Sequence, residues 1–494
     1  MKRNAIKWIS IAFLMQLALF IYLNINFTQN SPERIINHIF IKIGDTNAYF
    51  QPIEALMDGK GYSIEHYDDG HVIRKAFAGR MPGFLPVYGP LYLLLGSDTA
   101  KAIIIFLQFL SSILSIYVLA RIAEKLFNEK AAFSIAFFLY GISSYVSIFI
   151  HYGLADSFGT SLLIFALYYV FDGLKTEKVL PWFIAGTLLC WAVFFRPILI
   201  VFFVVVPVLY IFKSARIFKI AVKIRNIVVF GMIVTLSLTA WSIRNFRAFD
   251  EFIPLQPPDS FTYHSNHTPQ SVELRSLISA WGGLWKKWEP QGQWFVPPYS
   301  PRYIPKLTSE NPFPNNIYTE DFNFDSLIVL REIYWRSMNP ELSLEERMIY
   351  KEETILIIQK YVRSFKKNKP LYYHFWAPMK LTSKFLFQSR LDHFLFPEFR
   401  QMAWHQILVK GGYFIYYYFI IICGLMGMIL IYLQKKRMQI LFTLLPLSLI
   451  FIITIYLRNV EFRYFVPLYP FFVLFATSFL IYLFGKTHLI KSDS

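Results

Sequence analysis

Residues 99–120, TAKAIIIFLQFLSSILSIYVLA, decide the fold class of this chain. The run carries a single charge, Lys101, and it matches the roughly 20 apolar residues that a helix needs to cross a bilayer core about 30 Å thick. The same pattern recurs near 8–27, 131–150, 157–172, 181–195, 198–212, 226–243, 412–433, 439–457 and 464–484. The chain therefore reads as an all-α polytopic membrane protein with about ten transmembrane helices. The fifth and sixth spans meet at Arg196 and Pro197, so the count could differ by two, and a re-entrant segment is allowed around 84–95.

Composition agrees with the spans. Of 494 residues, 55% are hydrophobic and 16% charged, against about 25% charged in an ordinary soluble domain. That excludes a cytosolic enzyme and a disordered chain. The net charge of +17 does not indicate nucleic acid, because the Lys and Arg residues sit between apolar runs rather than on one soluble face. The two cysteines, Cys190 and Cys423, both fall within spans and form no disulfide framework. The first span follows Lys2, Arg3 and Lys7 as a signal peptide would, but its length and the Asn-Ile-Asn-Phe that follows make it a retained anchor.

Positive charges in short loops set the orientation. With the N-terminus inside, eighteen Lys and Arg residues fall on the cytoplasmic side, while the short outer loops hold only Arg196, Arg458 and Arg463. Both termini are then cytoplasmic, and the long segments 28–98 and 244–411 are extracytoplasmic. The expected organisation is an N-terminal transmembrane domain over 1–243 that includes the outer loop 28–98, an extracytoplasmic domain over 244–411, and C-terminal transmembrane helices over 412–494.

Six ionisable residues converge on the outer side: Asp45, Arg80, Asp156, Arg196, Arg244 and Arg463. Charges at this depth are costly and usually face a partner or a cavity. Singly, each arginine could snorkel to headgroups and Asp156 could cap a span. Together they run against the positive-inside bias. Around Asp45, the residues Tyr49, Ile53 and Leu56 recur at helical spacing until Gly59-Lys60-Gly61-Tyr62, which reads as a short helix lying along the membrane surface. Gly79-Arg80-Met81-Pro82-Gly83-Phe84 then re-enters with residues that stop a regular helix, a backbone tolerated at membrane depth only where it lines a cavity or is buried in protein.

These residues resemble a family. Asp45 with Tyr49, Gly59-Lys60-Gly61-Tyr62, Arg80-Met81-Pro82-Gly83-Phe84, Leu154-Ala155-Asp156-Ser157, Phe195-Arg196-Pro197, the run from Arg244-Asn245-Phe246-Arg247 to Leu255, and Arg463-Tyr464-Phe465-Val466-Pro467 follow in the order seen in GT-C fold membrane glycosyltransferases that use polyprenyl-phosphate sugars. That superfamily includes the protein mannosyltransferases and the lipid A aminoarabinose transferases. The stretch from Tyr361 to Phe387, with Asn368-Lys369-Pro370 and Lys380, looks like the family's return segment. One departure is local: protein mannosyltransferases pair the first-loop Asp with an adjacent Glu, whereas position 44 is Gly and position 46 is Thr, which speaks against protein O-mannosylation.

The resemblance implies a hexosyl- or pentosyltransferase of the cell envelope, inverting at the anomeric carbon. It would move one sugar from a polyprenyl-phosphate donor to a hydroxyl or amine of a glycan, lipid or protein acceptor at the outer face of the plasma membrane. It assigns Asp45 as the catalytic base. Asp156 would position the acceptor or orient an arginine. Arg80 and Arg463, then Arg196 and Arg244, would bind the donor phosphate, since cations stabilise the charge that develops on a leaving phosphate and a guanidinium offers it a planar fork. No nucleotide sugar and no bound cofactor are implied, and no phosphate-cradling glycine loop is present.

Tyr49 and Tyr62 are further candidates for contact with sugar or acceptor. So are Trp281 and Trp285, which with Trp288 stand at i, i+4 and i+7 and would share one helix face, as a sugar platform or as interfacial packing. Glu65-His66-Tyr67-Asp68-Asp69-Gly70-His71 carries metal-ligand types, but a solvated turn explains it better and no metal is expected. The sequons at Asn26 and Asn266 face outward in this topology. Two rival functions are a flippase for lipid-linked saccharides, which needs polar groups through mid-span where these spans have almost none, and a polysaccharide polymerase or ligase, against which stands the early Asp45 motif.

Overall fold

The computed structural model describes residues 2–30, 34–36, 39–42, 45–68, 71–213, 220–256, 268–284, 289–300, 303, 305, 310–389 and 391–492. The chain folds as two compact units, one of Met1–Pro257, Ser389–Leu449 and Arg463–Ser494, the other of Pro258–Gln388 and Ile450–Phe462.

The first unit is helical and apolar. It contains α1 (Lys2–Asn30), α2 (Thr46–Met57), α3 (Leu85–Leu95), α4 (Ser97–Phe127), α5 (Lys130–Gly141), the single turn α6 (Ser144–Ser147), α7 (Asp156–Thr176), α8 (Val179–Phe195), α9 (Phe202–Lys213) and α10 (Ile220–Phe249). After the second unit come α16 (Trp404–Leu433), α17 (Arg437–Ile450) and α18 (Tyr469–Ser492). Among the described residues six helices are long and apolar enough to span a membrane, and shorter apolar helices lie at Leu85–Leu95, Lys130–Gly141, Val179–Phe195, Pro197–Phe212 and Tyr469–Gly485. The protein is a multi-pass membrane protein. The span expected over 131–150 is interrupted: α5 ends at Gly141, and the chain continues through α6 and a 3-10 turn at Ile148–Ile150.

Small residues let the helices approach. A Cβ on Gly427 of α16 would lie 1.9 Å from the Phe475 carbonyl oxygen of α18, and one on Gly186 of α8 would lie 2.2 Å from that of Phe230 on α10. Close backbone contact of this kind replaces the hydrophobic drive that lipid does not supply.

Between α1 and α4 this unit is ordered by strand pairing and side-chain hydrogen bonds. Residues 63–68 and 71–76 pair as an antiparallel hairpin, Ser63 opposite Ala76. Glu65–Asp68 and His71 therefore lie in hairpin strands, and the residues between them, 69–70, lie outside the described residues. Among the described residues no group of three His, Cys, Asp or Glu side chains could hold a metal. A hydrogen-bonded set ties α2 to the two helices after it: Tyr88 and Ser97 both donate to Glu54, at 2.5 and 2.8 Å, and Lys101 pairs with it at 3.0 Å. Asn26 is not a surface residue. It is buried, with its amide on the Phe394 carbonyl and its carbonyl oxygen accepting from Gln406; Asn266 lies outside the described residues.

The second unit is built from α11 (Pro269–Ala280), α12 (Pro290–Trp294), α13 (Phe324–Met338), α14 (Leu344–Asn368) and α15 (Ala377–Leu386) around a core that includes Leu274, Trp281, Trp294, Phe313 and Tyr361. Two of its segments, Tyr372–Trp376 and Phe451–Tyr456, are π-helical. Helix α14 opens with a capping box in which Ser343 and Glu346 each satisfy the other's backbone N–H. Of the tryptophan face expected across 281–288, only Trp281 lies within the described residues, and it stands just beyond a helix. The helix stops at Ala280, because Gly282 turns the chain with φ +77, a left-handed conformation that glycine adopts without strain. Trp281 packs instead against Phe313 and Tyr361, 3% exposed, and Trp285 lies outside the described residues.

Candidate functional site

The site is assembled in the first unit, where helix ends and loops meet. Asp45 stands at the N-cap of α2, yet its carboxylate makes no capping bond. Its Oδ2 instead accepts from Arg80 Nη2 at 3.2 Å and pairs with Arg463 Nη2 at 2.5 Å. One carboxylate thus holds two guanidiniums drawn from the first loop and from the turn before the last helix.

Each partner is itself fixed. Arg80 is buried, donates from Nη1 to the Gly79 carbonyl, and lies 5.4 Å from the centre of the Tyr49 ring, one turn into α2 from Asp45. The Tyr62 hydroxyl donates to the Arg80 carbonyl at 2.9 Å. Gly83, three residues on, passes so close to α8 that a Cβ there would meet the Phe194 carbonyl oxygen at 2.8 Å. Tyr49 and Tyr62, expected as sugar or acceptor contacts, are 5% and 7% exposed and pack around the arginine.

A second ion pair joins Asp156 and Arg196. Pro197 disfavours helix at the residue before it, so α8 ends at Arg196, which has extended backbone. Asp156 is the first residue of α7, where the helix dipole favours a negative charge. Gly159, one turn on, leaves room for the Arg196 side chain: a Cβ there would sit 3.3 Å from Arg196 Cγ. The Arg196 guanidinium lies 5.8 Å from the Tyr464 ring centre, and Arg463 acts electrostatically on both Arg80 and Arg196. The two pairs form one charged group. Within it, Nε of Arg80 and of Arg196 are buried with no hydrogen-bond partner among the described residues.

Arg244 is engaged differently. It donates to the Phe77 carbonyl at 2.7 Å and the Tyr62 carbonyl at 2.5 Å, and lies among the rings of Tyr62, Trp241 and Phe249. It fastens the base of the hairpin to α10. It also lines a cavity of about 920 Å³ together with Lys60, Arg74 and Arg247 and with Leu56, Leu85, Phe194 and Trp241.

Five of the six outer charges thus meet directly or through a neighbour, and Arg244 braces their support. Sequence reasoning missed Tyr464 and Gly159. Tyr464 adjoins Arg463 and could have been found by its place in that motif, whereas nothing in the sequence marks Gly159, whose role depends on a side chain from another helix.

The family model described as dolichyl-phosphate-mannose-protein mannosyltransferase matches residues 90–241, a stretch that contains Asp156 and Arg196 but not Asp45, Arg80 or Arg463. No curated protein matches the chain. Among solved structures, the chain is similar to the Archaeoglobus fulgidus oligosaccharyltransferase tethered to an acceptor peptide containing the NVT sequon, at 10% identity and a TM-score of 0.51, covering 100% of this chain and 51% of that one. It also matches the Archaeoglobus fulgidus oligosaccharyltransferase AglB in complex with an inhibitory peptide and a dolichol-phosphate, at 11% identity, TM-score 0.42, and 99% and 51% coverage. The chain spans about half the length of these structures. The fold is similar to that of the Archaeoglobus fulgidus oligosaccharyltransferase.

Proposed function

We propose that this protein is a membrane glycosyltransferase that moves a sugar from a polyprenyl-phosphate donor to a hydroxyl or amine acceptor at the outer face of the plasma membrane. The observation that carries the reading is the Asp45 carboxylate held between Arg80 and Arg463. A base for the acceptor and cations for the leaving phosphate are the two things the reaction needs, and here they touch.

In this reading the acceptor gives its proton to Asp45 as its oxygen or nitrogen bonds to the anomeric carbon. The bond from that carbon to the phosphate oxygen breaks, and its electron pair stays with the phosphate. The departing phosphate carries more negative charge than the diester did, so Arg80, Arg463 and Arg196 bind the transition state better than the ground state. The guanidiniums that Asp45 holds are also the groups a phosphate would take. Donor binding therefore competes with the carboxylate and frees it toward the acceptor. Asp156 keeps Arg196 oriented. The cationic and apolar cavity beside Arg244 suits a phosphate with a hydrocarbon chain. The second unit is assigned to acceptor selection, outside the membrane, with both termini in the cytoplasm.

The test is transfer of radiolabelled sugar from membranes loaded with a panel of polyprenyl-phosphate sugars. Label reaching an acceptor only when the protein is present supports the reading. No transfer from any donor, together with protein-dependent movement of a lipid-linked saccharide across the bilayer, would replace it with a flippase.

A further inference from the structure

The second unit contains a cavity of about 670 Å³ whose charges the transfer reaction does not use. Helix α11 presents Val272, Arg275, Ser276 and Ser279 to it, spaced i, i+3, i+4 and i+7 along one face. Lys366 enters from the end of α14, and Arg458 and Asn459 from the segment that returns after α17. Three permanent cations share the lining, and no Asp or Glu is among the described residues that form it.

Arg458 is the best defined of the three. It has φ +49, in the left-handed region that residues with a side chain seldom adopt. Its guanidinium lies 3.8 Å from the Tyr373 ring centre and donates from Nη2 to the Tyr373 carbonyl at 2.7 Å. Nη1 is buried with no hydrogen-bond partner among the described residues. Burial holds the Arg458 guanidinium below its ordinary pKa, a cost that a bound anion would offset. Lys366 approaches the same Tyr373 ring at 5.7 Å, so two cations crowd one aromatic face.

Both walls next to Arg458 are π-helical, Tyr372–Trp376 and Phe451–Tyr456. Such widened turns are rare and concentrate at functional sites. Thr382 and Thr454 hydrogen-bond at 2.8 Å and hold the neighbouring segments together. In the same lining, Phe451, Ile455 and Leu457 are 54%, 40% and 52% exposed, at the end of the apolar helical stretch Arg437–Tyr456.

We propose that this cavity binds the phosphate headgroup of an anionic lipid. The cations and the unpartnered Arg458 Nη1–H take the phosphate oxygens, for which a guanidinium fork is suited, and Phe451, Ile455 and Leu457 lie along the hydrocarbon chain. A free phosphate would use the cations but not these apolar side chains. The assignment does not depend on the transfer reaction or on Asp45.

The experiment uses the full-length protein reconstituted in nanodiscs of equimolar phosphatidylglycerol and phosphatidylcholine, transferred to mild detergent, with retained lipid counted by native mass spectrometry. Wild type should retain phosphatidylglycerol over phosphatidylcholine. Arg458→Gln should lower that retention by about tenfold, the scale of one charge-assisted hydrogen bond. Lys366 is exposed, so Lys366→Gln leaves the fold intact and should also weaken retention. Equal retention of both lipids by wild type, or unchanged phosphatidylglycerol in Lys366→Gln, would overturn the proposal. Displacement of the lipid by inorganic phosphate alone would overturn the lipid assignment in favour of a free-phosphate site.

Discussion

At the scale of single residues, the proposed chemistry rests on two arginines that share one carboxylate. Arg463 is the more accessible of the two, with a side chain 15% exposed against 8% for Arg80, so its replacement separates chemistry from folding. Arg463→Gln should reduce transfer by about 10- to 100-fold, the range for losing a charged hydrogen-bond donor to phosphate, and Arg463→Lys should recover part of it by restoring charge without the fork. Initial rates across donor concentration check this. An unchanged rate in Arg463→Gln would remove it from the phosphate site. Asp156 calls for a different readout. It is fully buried against Arg196, and breaking a buried pair by removing one charge costs about 3 kcal/mol or more. Asp156→Asn should therefore lower thermal stability in detergent as well as activity, and a variant that keeps its melting temperature would show that the pair is not structural.

At the scale of elements, helix packing rests on glycines and on caps. Gly427 leaves no room for a Cβ against Phe475, and overpacking of this kind costs about 1–3 kcal/mol. Gly427→Leu should force α16 from α18 and lower the melting temperature of purified protein; Gly411→Leu on the same helix, where nothing lies within 4 Å of a Cβ, should not. In α14, hydrogen bonds from the Ser343 hydroxyl and then its backbone N–H hold the Glu346 carboxyl below its ordinary value of 4.5. A depressed carboxyl stabilises the folded state above the unfolded pKa, and that contribution is lost as pH falls through the folded one. Acid unfolding followed by circular dichroism should thus separate wild type from Glu346→Gln, with the gap closing below pH 4.5. A gap that persisted in acid would assign the cap to shape rather than charge.

At the scale of the whole molecule, the positive-inside distribution predicts that both termini are cytoplasmic. Impermeant thiol labelling in intact cells, of single cysteines placed at Lys2 and at Lys60, should mark only the second; labelling of the first would invert the topology. The spans were legible because the bilayer demands long apolar runs, and most expected spans coincide with apolar helices, an exception being 131–150, where α5 ends at Gly141. Prolines made some ends legible too, as at Arg196-Pro197. The charges at the site were legible one by one, but not their pairing. Asp45 and Arg463 meet through packing of nearly the whole chain, and no local pattern says that Asp156 takes Arg196 while Asp45 takes the other two. Trp281 stands outside a helix for a local reason: spacing assumes a helix, and α11 ends at Ala280, before the turn at Gly282. The central claim is that Asp45 is the base of a lipid-donor sugar transfer. It is tested most directly by comparing wild type with Asp45→Asn at matched expression in the radiolabel assay. Asparagine can still accept from Arg80 and Arg463 but cannot take the acceptor's proton, so the account predicts a loss of about 10²- to 10⁴-fold with the melting temperature retained. A fully active Asp45→Asn protein would contradict it.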